Sequence, residues 1–163
     1  MRHAQAELAV ASDASDADRA LTPRGRHDAA AVGRWLQHEE IEPDHALVST
    51  AVRTWQTWEA LANEAQWTLV PDLDRSLYTA GPESALESLQ ASPDDARTVL
   101  LIGHNPTVAA LAWLLHDGSG DQGALHRLAQ GHAPADLAVL AVDGPWTDLG
   151  PGSARLVAFH SAH

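Results

Sequence analysis

Residues 98–106 read Thr98-Val99-Leu100-Leu101-Ile102-Gly103-His104-Asn105-Pro106. The first five form an unbroken β-branched and leucine run, the pattern of a strand buried on both faces in a parallel sheet. The run stops at glycine, and Asn105-Pro106 opens a helix, because proline suits a first turn whose N–H groups lack partners anyway. Apolar Val108, Leu111, Ala112 and Leu115 then recur at helical spacing. His104 is thereby expected where a strand ends and a helix begins. Layered α/β folds bind ligands at that edge, and helix N-termini favour anions.

Upstream, Ala46-Leu47-Val48-Ser49 reads as a second short buried strand after a turn at Pro43-Asp44. Thr22-Pro23 is a helix start, with Ala29, Val32, Trp35 and Leu36 on one face and an end near Glu40. A helix over roughly 51–65 carries Val52, Trp55, Leu61 and Ala62 as core, and Pro82 to Gln90 is a third, with Leu86 and Leu89 inward. Trp67 to Val70 is a weaker strand pattern, closed by Pro71. Residues 4–21, with Ser12 to Asp16 at their centre, and Gly118 to Gly123 read as loops. Residues 124–135 fit no single pattern, whereas Leu137 to Val142 and Ala154 to Phe159 read as strands. Strands alternating with helices predict an α/β fold, a three-layer α/β/α arrangement with a mostly parallel central sheet. One domain is expected over residues 1–163.

Composition narrows the function. The chain has 163 residues, 45% of them hydrophobic and 20% charged, which is globular rather than disordered. The absence of Cys removes thiol catalysis and zinc-thiolate sites. Net charge is −12, and every basic residue is arginine. An acidic chain is a poor partner for nucleic acid, whose binding rests on phosphate neutralisation, yet clustered arginines still make one positive pocket. With no apolar stretch of membrane length and no leader pattern, the expected location is the cytoplasm, with no membrane partner.

The chemistry follows from four side chains near strand ends. Moving a phosphoryl group through an enzyme histidine needs one neutral imidazole to attack phosphorus, and cations and donors to hold the non-bridging oxygens. Arginine suits the second task because its planar fork binds phosphate bidentately and stays charged. His3 is the candidate nucleophile, Arg2 and Arg53 the clamp, and His104 a further donor. Each also has an ordinary reading: a chain-end dipeptide for Arg2-His3, a solvated helix arginine for Arg53, a hydrogen-bonded structural histidine for His104. The joint occurrence, in order, favours the site. The other histidines, His27, His38, His45, His116, His126, His132, His160 and His163, show no paired ligand spacing with a third ligand, so neither metal nor cofactor is expected.

The order of motifs resembles the histidine phosphatase superfamily, whose fold is phosphoglycerate mutase-like, and within it the short SixA-type phosphohistidine phosphatase branch. Arg2-His3-Ala4-Gln5-Ala6-Glu7 is similar to the opening Arg-His-Ala-x-Ala-Glu. Arg19-Ala20-Leu21-Thr22-Pro23-Arg24-Gly25 matches an Arg-x-Leu-Thr-x-x-Gly step, and Ser49 to Thr57 a Ser-x-x-x-Arg-x-x-Gln-Thr element. Leu77-Tyr78 with Glu83 resembles a Leu-Tyr…Glu segment, and Gly103-His104-Asn105-Pro106 matches a Gly-His-Asn-Pro element. The resemblance implies a phosphohistidine intermediate on His3 and a pocket completed by Arg2, Arg53 and His104. It implies substrate contact by Arg19, a monomer, and a phosphorylated substrate, protein phosphohistidine foremost. The other readings are a broad-specificity phosphomonoesterase and a phosphate-binding module without turnover.

The chain departs from the family pattern twice. Larger members carry a proton-donating carboxylate near the Leu-Tyr segment, where Arg75 stands here, and Asp74, Glu83 and Glu7 match that role imperfectly. An imidazole leaving group needs a proton less than an alkoxide does, which favours phosphohistidine. The family also places an apolar strand directly before Arg-His, where this chain has Met1 alone. Either the true start lies upstream of Met1 or the first strand is missing or truncated, which predicts a loosely held His3 and weak or absent turnover.

Overall fold

The computed structural model describes residues 1–8 and 15–162. The Ser12-to-Ala14 part of the first expected loop lies outside them, as does His163. Helix α1 (Pro23–His38) begins as the Thr22-Pro23 pair dictates: the Thr22 hydroxyl accepts the Gly25 N–H at 2.9 Å. Strand β1 (His45–Ser49) follows, then α2 (Val52–Ala65), whose Trp58, Leu61 and Ala62 face α1 and the sheet core. Helix α3 (Pro82–Gln90), strand β3 (Val99–Ile102) and helix α4 (Thr107–Leu115) lie where hydrophobic spacing puts them. Strands β5 (Leu137–Val142) and β6 (Ala154–His160) complete the expected set.

Three segments differ from the sequence reading. Residues 67–70 form no strand; instead Asp72–Asp74 is the edge strand β2, parallel to β1 with Leu47 opposite Asp72. Trp67 and Leu69 pack on the core from a connecting segment, which produces the strand-like alternation without a ladder. The Gly118–Gly123 segment holds strand β4 (His116–Gly120), parallel to β6. It is made by backbone pairing with mostly exposed side chains, so no hydrophobic pattern marks it. At Gly120 (φ +115°) a Cβ would stand 2.0 Å from the Leu156 carbonyl, so only glycine fits this close approach. The patternless stretch contains α5 (Gln122–Gln130), capped by the Asp121 carboxylate on the Ala124 N–H and buried through Ala124 and Leu128.

The strands form two three-stranded sheets, β2-β1-β3 and β4-β6-β5, parallel except for the β5–β6 pair. The chain start lies between them. It joins the residue after β3 through one parallel bridge, Arg2 with Gly103. Contrary to expectation, His3 is not loosely held. Its N–H donates to Gly103 O at 3.0 Å, and its carbonyl accepts from Ala135 N–H at 3.1 Å. The N–H of Arg2 reaches Asp136 O at 3.1 Å, and that of Ala4 reaches Thr57 Oγ1 at 3.0 Å. Ala135 adopts φ 70°, a left-handed conformation unusual for a residue with a Cβ, in the turn that presents its N–H to His3. Beside Met1, an apolar cavity of about 720 Å³ separates β3 from β5.

Candidate active site

The carboxyl ends of β1 and β3 are adjacent because Val48 pairs with Ile102, and the chain start joins beside them through Gly103. Three sequence-distant segments thus converge on one polar cleft of about 520 Å³, lined by Arg2, His3, Arg19, Arg53 and His104 among others. All five candidate site residues are together there. The larger cavity is lined mostly by aliphatic side chains and contains neither His3 nor His104.

The tautomer of His3 follows from its neighbours. Nδ1 lies 2.7 Å from the Ala4 carbonyl, which can only accept, so Nδ1 carries the proton and Nε2 the lone pair. Burial pushes the pKa of His3 down to about 4; the hydrogen bond to Ala4 opposes this, and the charges of Arg53, Arg2 and Arg19 reinforce it. At neutral pH the ring is therefore neutral, with a lone pair on Nε2. Its centroid is 5.1 Å from that of His104.

His104 is buried, and burial followed by the charges of His3 and Arg53 lowers its pKa to about 3. Its Nε2 is 2.9 Å from Ser49 Oγ, while its Nδ1 is buried without a protein partner among the described residues. The Ser49 hydroxyl has no other partner among the described residues, and by donating to Nε2 it leaves the ring proton on Nδ1. Ser49 is thus a site residue that sequence reasoning placed at a strand end without a role.

The clamp is held from behind. Arg2 Nη1 donates to His132 O at 2.9 Å, a carbonyl shared with Asn105 Nδ2 at 2.8 Å. Among the described residues, the Nε atoms of Arg2 and Arg53 are both buried without a protein acceptor. The element Ser49 to Thr57 proves to be a scaffold. Thr57 Oγ1 donates to Arg53 O at 2.6 Å while accepting from Ala4 N–H, and Gln56 Oε1 accepts from Leu21 N–H at 2.8 Å.

The cleft also holds a residue that sequence reasoning missed. Asp16, in a short turn at Asp16–Asp18, is the one carboxylate lining the cleft among the described residues. Its Oδ2 accepts from Tyr78 Oη at 2.8 Å and from Arg53 Nη2 at 3.0 Å, and its Oδ1 pairs with Arg19 Nε at 2.8 Å. Its main-chain oxygen takes Arg53 Nη1 at 2.7 Å. The Tyr78 hydroxyl, then Arg19 and Arg53, lower its pKa to about 2 against an opposing effect of burial. The three carboxylates weighed as proton donors, Asp74, Glu83 and Glu7, are not among the cleft-lining residues. Asp74 is occupied by Ser76 and Ser88, whose hydrogen bonds hold its pKa low although burial raises it. Among the described residues, no cluster of three or more His, Asp or Glu side chains is arranged to hold a metal ion.

Comparison with known proteins agrees with this geometry. The family model of the histidine phosphatase superfamily (branch 1) matches residues 1–77. An uncharacterized protein of Mycobacterium tuberculosis is 37% identical over 161 residues, covering 98% of both chains. Among solved structures, a candidate phosphohistidine phosphatase SixA from Nakamurella multipartitia is 36% identical. The match covers 100% of this chain and 94% of that one, with a TM-score of 0.85. A second such candidate, from Agrobacterium tumefaciens, is 28% identical over 99% of this chain and 94% of its own, with a TM-score of 0.82. Fold, motif order and whole-length similarity agree: the chain belongs to the histidine phosphatase superfamily, in its SixA-type branch.

Proposed function

We propose that this phosphatase removes the phosphoryl group from protein phosphohistidine through a covalent intermediate on His3. The observation that carries the reading is the pairing of His3 Nδ1 with the Ala4 carbonyl, which leaves a neutral Nε2 in an arginine-lined cleft. Nε2 attacks phosphorus, and the departing group takes the electron pair of the bond it loses. The free Nε donors of Arg2 and Arg53, and His104 Nδ1, hold the non-bridging oxygens as charge redistributes. Once phosphorylated, the His3 ring is cationic, and its Nδ1–H donates more strongly to Ala4 O. Water then cleaves the phosphohistidine and regenerates the neutral ring.

The leaving group is inferred from the lack of an available acid in the cleft among the described residues. The cleft's one carboxylate among the described residues, Asp16, is held ionised and cannot protonate an alkoxide. A phosphohistidine protonated on its distal nitrogen leaves as neutral imidazole and needs no such acid. The same proposal comprises a single monomeric domain, a cytoplasmic location and a phosphohistidine-carrying protein as partner. Incubation with a phosphorylated histidine carrier protein tests it: phosphate release and an acid-labile phosphoenzyme are expected, and both should vanish in His3→Ala. No release by the unaltered chain would refute the reading.

A further inference from the structure

Asp16 stands where an enzyme built only to bind phosphate would not place a carboxylate. The cleft needs positive charge, yet Asp16 is fixed on two of its arginines, bonded to Arg53 through both its side chain and its main chain. Tyr78 adds a third donor, and its ring lies edge-on to His104 with centroids 5.5 Å apart. The Arg53 guanidinium lies 5.7 Å from the same Tyr78 ring. Tyr78 therefore fixes the carboxylate next to the clamp, on the side of the cleft that also holds His104. The Asp16 side chain is 50% exposed, whereas that of Arg53 is 6% exposed. The carboxylate thus lies at the mouth, outside the buried groups that receive phosphorus, where the rest of a substrate must pass.

We propose that Asp16 is a specificity-determining residue that selects substrates by the charge of the group attached to phosphorus, favouring cationic over anionic leaving groups. The inference rests on the phosphatase reading and deepens it. A phosphohistidine ring protonated on its distal nitrogen carries positive charge one ring away from phosphorus, and a carboxylate at the mouth stabilises that reactive form. The P–N bond to the substrate ring breaks with its electron pair going to that ring, which the distal proton leaves neutral. His3 Nε2 forms the new P–N bond with its own pair. A leaving group bearing a carboxylate meets repulsion instead. Two unit charges about 6 Å apart near a protein surface, screened by solvent, change a rate by about tenfold.

Three phosphate esters of similar size test this: phosphoethanolamine, glycerol 3-phosphate and 3-phosphoglycerate, whose leaving groups are cationic, neutral and anionic. Their kcat/KM values are compared for the unaltered chain and for Asp16→Asn, which keeps an oxygen for Tyr78 and removes the charge. Asp16→Asn should raise the ratio of 3-phosphoglycerate to phosphoethanolamine at least tenfold, with glycerol 3-phosphate between. An unchanged ratio, or equal loss on all three, overturns the inference, since a merely structural role cannot sort esters by charge. If turnover of the esters is too slow to measure, the same ratio is read from their dissociation constants on His3→Ala and on His3→Ala/Asp16→Asn. A phosphorylated carrier protein assayed in parallel separates the two claims: no release from it, with the ester ratio shifting as stated, refutes the phosphohistidine reading and supports the charge selection.

Discussion

Ser49 Oγ and His104 Nε2 lie 2.9 Å apart at the ends of neighbouring parallel strands, although 55 residues separate them in the chain. The β1–β3 register produces the contact, because Val48 opposite Ile102 brings the next residues of both strands to one edge. The contact engages Nε2 of His104 and leaves its buried Nδ1 without a protein partner among the described residues. With the Ser49 hydroxyl donating to Nε2, the ring proton lies on Nδ1.

Ser49→Ala should therefore lower kcat by about tenfold, the usual scale for losing a partner that orients a functional histidine. His104→Ala, which removes the donor itself, should cost about 10²–10³. Steady-state kinetics on an aryl phosphate measures both. Ring nitrogen shifts by NMR should show mixed tautomers for His104 in Ser49→Ala; an unaltered Nδ1–H tautomer would contradict the assignment.

Arg53 is bound to both oxygen types of Asp16, and its Nε is buried without an acceptor among the described residues. Arg53→Lys should be nearly as damaging as Arg53→Ala, each losing about 10²–10³ in kcat/KM. A lysine ammonium cannot span the Asp16 contacts and the phosphate together. Recovery of more than a tenth of the activity by Arg53→Lys would argue for a simple charge role.

The buried histidines set an acid limit. Burial lowers the pKa values of His3 and His132 to about 4 and that of His104 to about 3. The unfolded chain, with histidine pKa values near 6.5, binds protons that the folded chain refuses. Stability therefore falls as pH drops below about 6.5, by up to about 1.4 kcal/mol per pH unit for each such group, until the folded-state values are reached. Urea unfolding between pH 7 and 5 should show this loss. His3→Ala, which removes one of these groups, should show a shallower slope. The kcat/KM profile, corrected for substrate ionisation, should stay flat down to about pH 5, because His3 is still neutral there.

Gly25 carries a structural load in the first turn of α1. A Cβ there would lie 2.1 Å from the Gln5 carbonyl, which also accepts from the Thr22 N–H at 3.0 Å. Gly25→Ala must push the 4–7 segment outward. We expect an overpacking cost of about 3 kcal/mol, read as a melting temperature lower by roughly 6–12 °C. Activity should drop with it, because Gln5 is two residues from His3. Thermal unfolding followed by kinetics on the folded fraction measures both.

Much of the scaffold was legible from local pattern. The run 98–102 and the polar residues after it located β3 and His104, and Thr22-Pro23 located the start of α1. These signals are short-range: side-chain periodicity, a capping hydroxyl, a proline in a first turn. Strands β2 and β4 were misread for the opposite reason. Their side chains are largely exposed, and only a partner's backbone makes them strands.

The candidate site divides along the same line. That His3, His104, Arg2, Arg53 and Arg19 belong together could be read from residue type and motif order, and the fold brings all five to one cleft. Which nitrogen of His3 keeps its lone pair, which nitrogen of His104 is engaged, and which carboxylate enters the cleft could not be named that way. The Ala4 carbonyl sets the first, Ser49 the second, and Tyr78 and Arg53, 62 and 37 residues from Asp16, the third. Protonation and charge placement depend on neighbours within about 3 Å, and folding alone brings such distant residues that close.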